Sequence, residues 1–207
     1  ELKAVVIGHD MKSVAEETFR FGANEALMVD HPSLKNYNTI PYSRALSELI
    51  DKHQPRIVLF GATFIGRDLA PRVASHTRSG LTADCTDLQI SDVTYLRKEF
   101  KDLLLQIRPA FGGNIIATII SPDTKVQMAT VREGVMEMAP LSTPAKGKIT
   151  EIPFKEDQID ELVKIIDRHQ EENKINLKGA PIIVAGGYGM GSKENFELLH
   201  QLADVVG

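Results

Sequence analysis

The first sixty residues alternate short apolar runs with segments of helical period, and no other feature restricts the fold as much. Val5 to Gly8 ends a strand that begins at Leu2. Met11 to Phe21 then places Met11, Val14, Ala15, Thr18 and Phe19 on one helical face, with Gly22 as its stop. Ala26 to Asp30 reads as a second strand. Tyr42, Ala45, Leu46, Leu49 and Ile50 follow as an amphipathic helical stripe, Pro55 closes that helix, and Ile57 to Phe60 is a third strand. Strands separated by helices need crossover connections, and these produce βαβ units and a parallel sheet.

From Leu81 the pattern changes. Leu81 to Ile90 is extended, Leu103 to Arg108 is β-like, Ile115 to Ile120 is a continuous apolar run and Val126 to Val131 alternates. No helical period separates these runs, so a β-rich and partly antiparallel extension is expected on the parallel sheet. Arg97 to Asp102 is expected as a charged hairpin tip and Phe111 to Asn114 as a turn. Leu141 to Lys148 gathers Pro, Gly, Ser and Lys without periodicity, which marks a boundary. A strand over Ile149 to Phe154, a helix from about Glu156 to Glu172 and a polar turn from Asn173 to Gly179 are expected after it.

The stretch Pro181 to Phe196 then reads as a strand, a glycine-rich turn and the opening of a helix. Ile182 to Ala185 form an apolar run suited to a buried strand, and glycines stand at 186, 187, 189 and 191. Ser192 is the expected N-cap, with Glu194 in the first turn and Phe196, Leu199, Leu202, Ala203 and Val206 repeating behind it. Such a turn can receive a phosphate or other anion. It can equally be a tight connection that binds nothing, because a third glycine at the spacing of a dinucleotide fingerprint would fall on Ser192.

Composition narrows the chemistry. A net charge of −4 gives no general electrostatic attraction to nucleic acid or to an anionic membrane. Cys85 is the only cysteine in the 207 residues, which excludes an intrachain disulfide framework and any multi-cysteine metal site. Asp84 and Asp87 flank it and would raise its thiol pKa, against a nucleophilic role. The six histidines show no metal-ligand spacing, and no G-x-S-x-G elbow is present. No catalytic residue and no metal ligand is assigned on these grounds, and a reducing, cytoplasmic location is the default. Arg67 and Arg72 follow the third strand, at the end where open α/β sheets place ligands. They suit a phosphate or an acidic partner, or else ion pairs with Asp84 and Asp68.

Several stretches together resemble one family. They are Gly61-Ala-Thr with Ile65-Gly-Arg-Asp-Leu-Ala-Pro-Arg72, Gly80-Leu-Thr-Ala-Asp-Cys-Thr86, Arg108-Pro-Ala-Phe-Gly-Gly-Asn114, Thr130-Val-Arg132, Ala185-Gly-Gly-Tyr-Gly189 and Ser192-Lys-Glu-Asn-Phe196. In this order, and across nearly the whole chain, they look like the alpha subunit of electron transfer flavoprotein, in particular its anaerobic, electron-bifurcating branch.

The resemblance implies an α/β fold: a Rossmann-like parallel sheet with a β-rich extension, followed by the start of a second Rossmann-like, FAD-binding domain. On that reading residues 1–147 form the N-terminal domain that contacts a beta subunit, 148–178 connect, and 179–207 begin the FAD domain. It further implies a heterodimer with FAD as cofactor, a second FAD held mainly by the beta subunit, and electrons passing between NADH, ferredoxin and an acyl-CoA or 2-hydroxyacid dehydrogenase. Arg132 matches the arginine placed near the beta-side flavin, where a fixed cation would stabilise negative charge on the ring system. A structural ion pair at the subunit interface is the plainer role for it. Arg108 would support the same surface, while Gly187, Tyr188 and Gly189 match the alpha-side FAD turn. Position 188 is usually arginine in the family, and Tyr188 can stack or hydrogen-bond but brings no positive charge. Glu133 stands where the family usually has proline. The alternative from a different class is a nucleotide-binding regulatory α/β module without a redox role, and a purely structural interface domain is a third.

The resemblance places a first strand and helix before Glu1 and most of the FAD domain after Gly207. Residues 1–207 by themselves are therefore expected to bind the alpha-side FAD weakly or not at all. Absorbance of the purified fragment titrated with FAD checks this, and tight one-to-one binding would refute it.

Overall fold

Parallel strands are buried on both faces, so their residues must be apolar on both sides and helices must cover them. The computed structural model of the chain, which describes residues 1–110, 115–138, 140, 146–155, 163, 165–169 and 180–206, meets that requirement with α-helices packed on short parallel strands. It divides into two compact units, Glu1–Ile165 and Ile166–Gly207.

In the first unit, strand β1 (Lys3–Gly8) leads through helix α1 (Lys12–Thr18) to β2 (Glu25–Asp30). A short 3-10 turn ends at Gly22, whose φ of 95° is left-handed and suits a residue without a side chain. Helix α2 (Thr39–His53) follows, capped by the Asn38 side chain. Strand β3 (Ile57–Gly61) then runs into helix α3 (Phe64–Thr77). β1 pairs parallel with β2, and β2 with β9 (Lys148–Glu151). β3 pairs parallel with β8 (Gln127–Val131), which also pairs parallel with β4 (Gly80–Cys85). β5 (Asp87–Tyr95), β6 (Lys98–Ala110) and β7 (Ile115–Ile119) form the antiparallel extension.

The mixed α/β class expected from the sequence is therefore the one found, with four local differences. First, the parallel strands fall into two hydrogen-bonded sheets, β1-β2-β9 and β3-β8-β4, among the described residues. The edges of β1 and β3, through Val5, Ile7, Ile57 and Leu59, instead line an apolar groove of about 1010 Å³ floored by Leu46 and Leu69. Second, the hairpin tip lies at Leu96 and Arg97, both left-handed at φ 49° and 64°, so Lys98 to Asp102 belong to β6. A charged run on an exposed edge is as compatible with a ladder as with a turn. Third, of the helix expected over 156–172, residues 163 and 165–169 are described and are not helical. Val163 and Ile166 are exposed, and a helix draws most of its stability from burying such a face. Fourth, Ile182 to Ala185 form no strand. The turns expected at 111–114 and 173–179 lie outside the described residues.

Helices α2 and α3 build the main core. Leu46 and Ile50 of α2 meet Leu69, Val73 and Ala74 of α3 and Met128 of β8. Leu27 and Val29 of β2 pack with Leu34, Ala45 and Leu49. Four of the five α2 stripe residues are buried as the periodicity predicts, and Tyr42 packs at the margin, its hydroxyl donating to the Leu34 carbonyl at 2.7 Å. Tyr37, just ahead of α2, and Thr39, its first residue, both donate to the Asp68 carboxylate on α3 and tie the two helices at their polar ends.

The β3–α3 connection is tight. Thr63 caps α3, its hydroxyl accepting from the Gly66 N–H at 3.0 Å. A Cβ on Gly66 would lie 1.9 Å from the Gly61 carbonyl oxygen, so only glycine lets the helix start this close to the strand end. Gly66→Ala should destabilise the protein by about 3 kcal/mol, at the upper end of overpacking costs. Thr63→Ala should cost about 1 kcal/mol as a lost cap. Urea denaturation midpoints compare the two, and equal losses would show that the strand and helix can separate cheaply.

Candidate functional site

Three parallel strands end side by side and the chain turns away from each, which leaves a crevice where side chains from separate segments can meet. After β3 the Ala62 N–H donates to the Val131 carbonyl at 2.7 Å, and after β8 the Arg132 N–H donates to the Cys85 carbonyl at 2.9 Å. These two bonds register the ends of β3, β8 and β4.

Pairing between β4 and β8 slips at this point. Thr82 faces Ala129 and Cys85 faces Val131, so two residues of β4 oppose the single Thr130. This is a bulge, unusual in a parallel pair. Within it Asp84 is left-handed, with φ 61°, a region in which aspartate is enriched among non-glycine residues. Its N–H has no ladder partner and donates to the Thr130 hydroxyl at 2.8 Å. Thr130 is buried, so the backbone amide is satisfied inside the protein.

The bulge turns the Asp84 carboxylate towards two arginines. Arg132 donates to Oδ2 through Nη2 at 2.7 Å and Nε at 3.3 Å. Arg67 donates to Oδ1 through Nη2 at 3.1 Å, while its Nε donates to the Ala62 carbonyl at 2.8 Å. Arg108 on β6 adds a third positive charge that acts on Asp84 and on Cys85. The hydrogen bond from Arg132, with help from the charges of Arg132, Arg67 and Arg108, holds the Asp84 carboxyl below the usual carboxylate range. One carboxylate thus stands against three guanidinium groups. Arg132 keeps 43% of its side chain exposed while its Nε and Nη2 engage Asp84. Phe64 and Ile65, at the start of α3, are exposed beside Thr63 and add apolar surface at this end of the sheet.

Arg132 and Arg108 are thus brought to one place with Arg67, as an arginine cluster in the first unit. Asp84 and Thr130 were absent from the sequence-based site. Both lie inside the quoted stretches, but nothing in sequence shows that β4 bulges, and the bulge is what places Asp84. The ion pairing considered for Arg67 with Asp84 is present, and the charge of Arg72 acts on Asp68. Cys85 is fully buried, its thiol pushed up first by that burial, and its Sγ faces the Thr82 carbonyl.

Gly187, Tyr188 and Gly189 belong to the second unit. There Tyr188–Met190 and Glu194–Phe196 are 3-10 turns that lead into helix α4 (Glu197–Val206). The Met190, Gly191 and Ser192 amides donate to the Gly187, Tyr188 and Met190 carbonyls, so the turn closes on its own hydrogen bonds. Ser192 bonds the Glu194 carboxylate and lowers its pKa, and does not cap an amide. Tyr188 is fully exposed, and a side chain at Gly187 or Gly189 would meet nothing within 4 Å. Ile182 and Ile183 are exposed and form no strand, because a strand needs a hydrogen-bonded neighbour and none is present among the described residues of this unit. Among the described residues of the chain, no helix is long and apolar enough to cross a membrane.

A parallel α/β domain with guanidinium groups gathered at its strand ends belongs to the class of open α/β folds, whose ligand sites lie at that edge. The particular family is shown by comparison. The chain belongs to the electron transfer flavoprotein family, whose model, described as "Electron transfer flavoprotein domain", matches residues 1–157. It is 45% identical over 205 residues to "Electron transfer flavoprotein subunit alpha" of Thermoanaerobacterium thermosaccharolyticum, covering 99% of this chain and 60% of that protein. It is 42% identical over 210 residues to the protein of the same name from Clostridium acetobutylicum, covering 100% of this chain and 60% of the relative. It is 35% identical over 204 residues to "Lactate dehydrogenase (NAD(+),ferredoxin) subunit LctC" of Acetobacterium woodii, covering 99% of this chain and 47% of that protein. The chain therefore spans about 60% of the length of the first two relatives.

The Asp84 pairs set a pH dependence with a definite sign. Its folded pKa is below its unfolded value, so its contribution is complete above the ordinary carboxylate range and is lost as pH falls through the lowered value. Asp84→Asn should destabilise the protein at pH 7 and less at pH 3, by chemical denaturation at both. An equal loss at the two pH values would mean that the charge of Asp84 contributes nothing.

Proposed function

We propose that this chain forms the N-terminal part of an electron transfer flavoprotein alpha subunit and supplies the cationic wall of a flavin site shared with a beta subunit. The single observation that carries this is the Arg67–Asp84–Arg132 cluster at the ends of β3, β4 and β8, with Arg108 nearby. The names of the relatives support it. The fit to FAD rests on donor chemistry: a guanidinium fixed on one edge and open on the other suits an electron-rich ring edge or a phosphate oxygen. When bound, FAD supplies the capacity to take up and release one or two electrons.

On this reading the chain binds and tunes. Arg132 holds positive charge beside the beta-side flavin and favours negative charge there. Arg108 adds to the field from β6. Phe64 and Ile65 limit water at the rim. Exposed Ile90 and Ile115, which the register places on one face of the antiparallel extension, offer an apolar patch for the beta subunit. Gly187, Tyr188 and Gly189 would face the alpha-side FAD in the longer protein, with Tyr188 stacking where the family usually places a cation. Residues 1–147 serve as the contact domain, 148–178 connect, and 179–207 open the FAD domain. The finer assignment is a cytoplasmic heterodimer of anaerobic metabolism. It passes electrons between NADH, ferredoxin and an acyl-CoA or 2-hydroxyacid dehydrogenase by bifurcation or confurcation. The name of the Acetobacterium woodii relative, which joins a dehydrogenase to NAD and ferredoxin, favours that scheme.

The test is the complex of the full-length chain with its co-expressed partner. A yellow heterodimer with two flavins is expected, and Arg132→Gln should lower the potential of one of them. A tenfold change in the oxidised-to-reduced equilibrium, about 30 mV for a two-electron couple, is the expected scale. Colourless protein that binds adenine nucleotides, or potentials unmoved by Arg132→Gln, would remove the proposal.

A further inference from the structure

An ordinary exposed ion pair needs no special backbone, contributes about 0–1 kcal/mol and is held loosely. The pair on Arg132 differs on each point of geometry. Its carboxylate stands on a left-handed residue in a parallel-strand bulge, a conformation that persists only where its surroundings enforce it. The amide freed by the bulge is taken up by Thr130, itself buried on the facing strand. The second carboxylate oxygen is held by Arg67, which is anchored in turn to the Ala62 carbonyl at the end of β3. Asp84 is thus fixed from β8 and from α3. It fixes Arg132 through two donors on one edge, Nε and Nη2, while 43% of the arginine side chain stays exposed.

We infer that Asp84 is a positioning residue, set by the β4 bulge to hold the Arg132 guanidinium in one orientation with its outer edge presented to the ligand at the strand ends. This deepens the reading of Arg132 given above and rests on it. Asp84 does not touch the ligand. Its negative charge weakens the local field, yet a long side chain released from it would spread its charge over many rotamers and into water. Orientation therefore outweighs the extra negative charge. Thr130 belongs to the same device, because without its hydroxyl the part-buried amide of the bulge would lose its partner.

The experiment compares Asp84→Ala, Arg132→Gln and the double variant in the flavin-loaded complex, reading the flavin potential by spectroelectrochemistry. If Asp84 positions Arg132, Asp84→Ala lowers the potential in the same direction as Arg132→Gln, by a threefold or greater change in the redox equilibrium. The double variant then falls no lower than Arg132→Gln alone. If Asp84 acts only through its own charge, Asp84→Ala raises the potential and the double variant returns towards the parent. A merely structural Asp84 lowers stability and leaves the potential where it was. Either of these two results overturns the inference while leaving the role of Arg132 intact. No response to Arg132→Gln overturns both. Should Asp84→Ala fail to fold, Asp84→Asn and Thr130→Val carry the same test. Each should lower the potential by less than Arg132→Gln, and neither should add to it in combination.

Discussion

The packing of α2 against α3 is the constraint on which the first unit depends. Leu46 and Ile50 interlock with Leu69 and Val73 above Met128, and this layer covers the parallel strands. Leu69 and Val73 also fix the direction in which α3 leaves β3, and Gly66 allows that departure at backbone contact distance. Arg67 projects from the first turn of the same helix. Its position opposite Asp84 is therefore a consequence of core packing as much as of charge. A buried apolar face and an exposed ion cluster are two ends of one helix.

Electrostatics at the strand ends gains its meaning from geometry. Each ion pair alone would be a modest surface contact, screened by salt and open to water. Two guanidinium groups on one carboxylate are different, because ordering the carboxylate for the first pair lowers the entropy cost of the second. The bulge makes that order possible at the expense of a left-handed aspartate. Thr130 shows the same economy on the buried side, where a ladder hydrogen bond is replaced by a hydroxyl at 2.8 Å. Arg132 is consequently held through two donors on one carboxylate oxygen while 43% of its side chain stays exposed.

Much of this architecture was legible in the residues. The alternation of strand and helix signals over residues 2 to 60 predicted β1, α1, β2, α2 and β3 to within a few residues. The β-rich stretch after Leu81 appeared as β4 to β8, with α3 less clearly signalled because Pro71 interrupts its pattern, although it lies within the observed helix. The hairpin tip was displaced because a charged edge and a charged turn look alike in sequence. Ile182 to Ala185 had the composition of a buried strand, but composition cannot supply a neighbouring strand to pair with it.

By itself the sequence determined element type and class of fold, since hydrophobic period is local and survives without knowledge of partners. The assembled motifs also pointed to a family and to Arg132. Tertiary structure alone decided that β1 and β3 leave a groove between them, that β4 bulges opposite Thr130, and that Asp84 joins Arg67 to Arg132. Asp84 is 17 residues from Arg67 and 48 from Arg132, so their meeting depends on strand register and helix direction. Those are set by long-range packing, which no local pattern encodes.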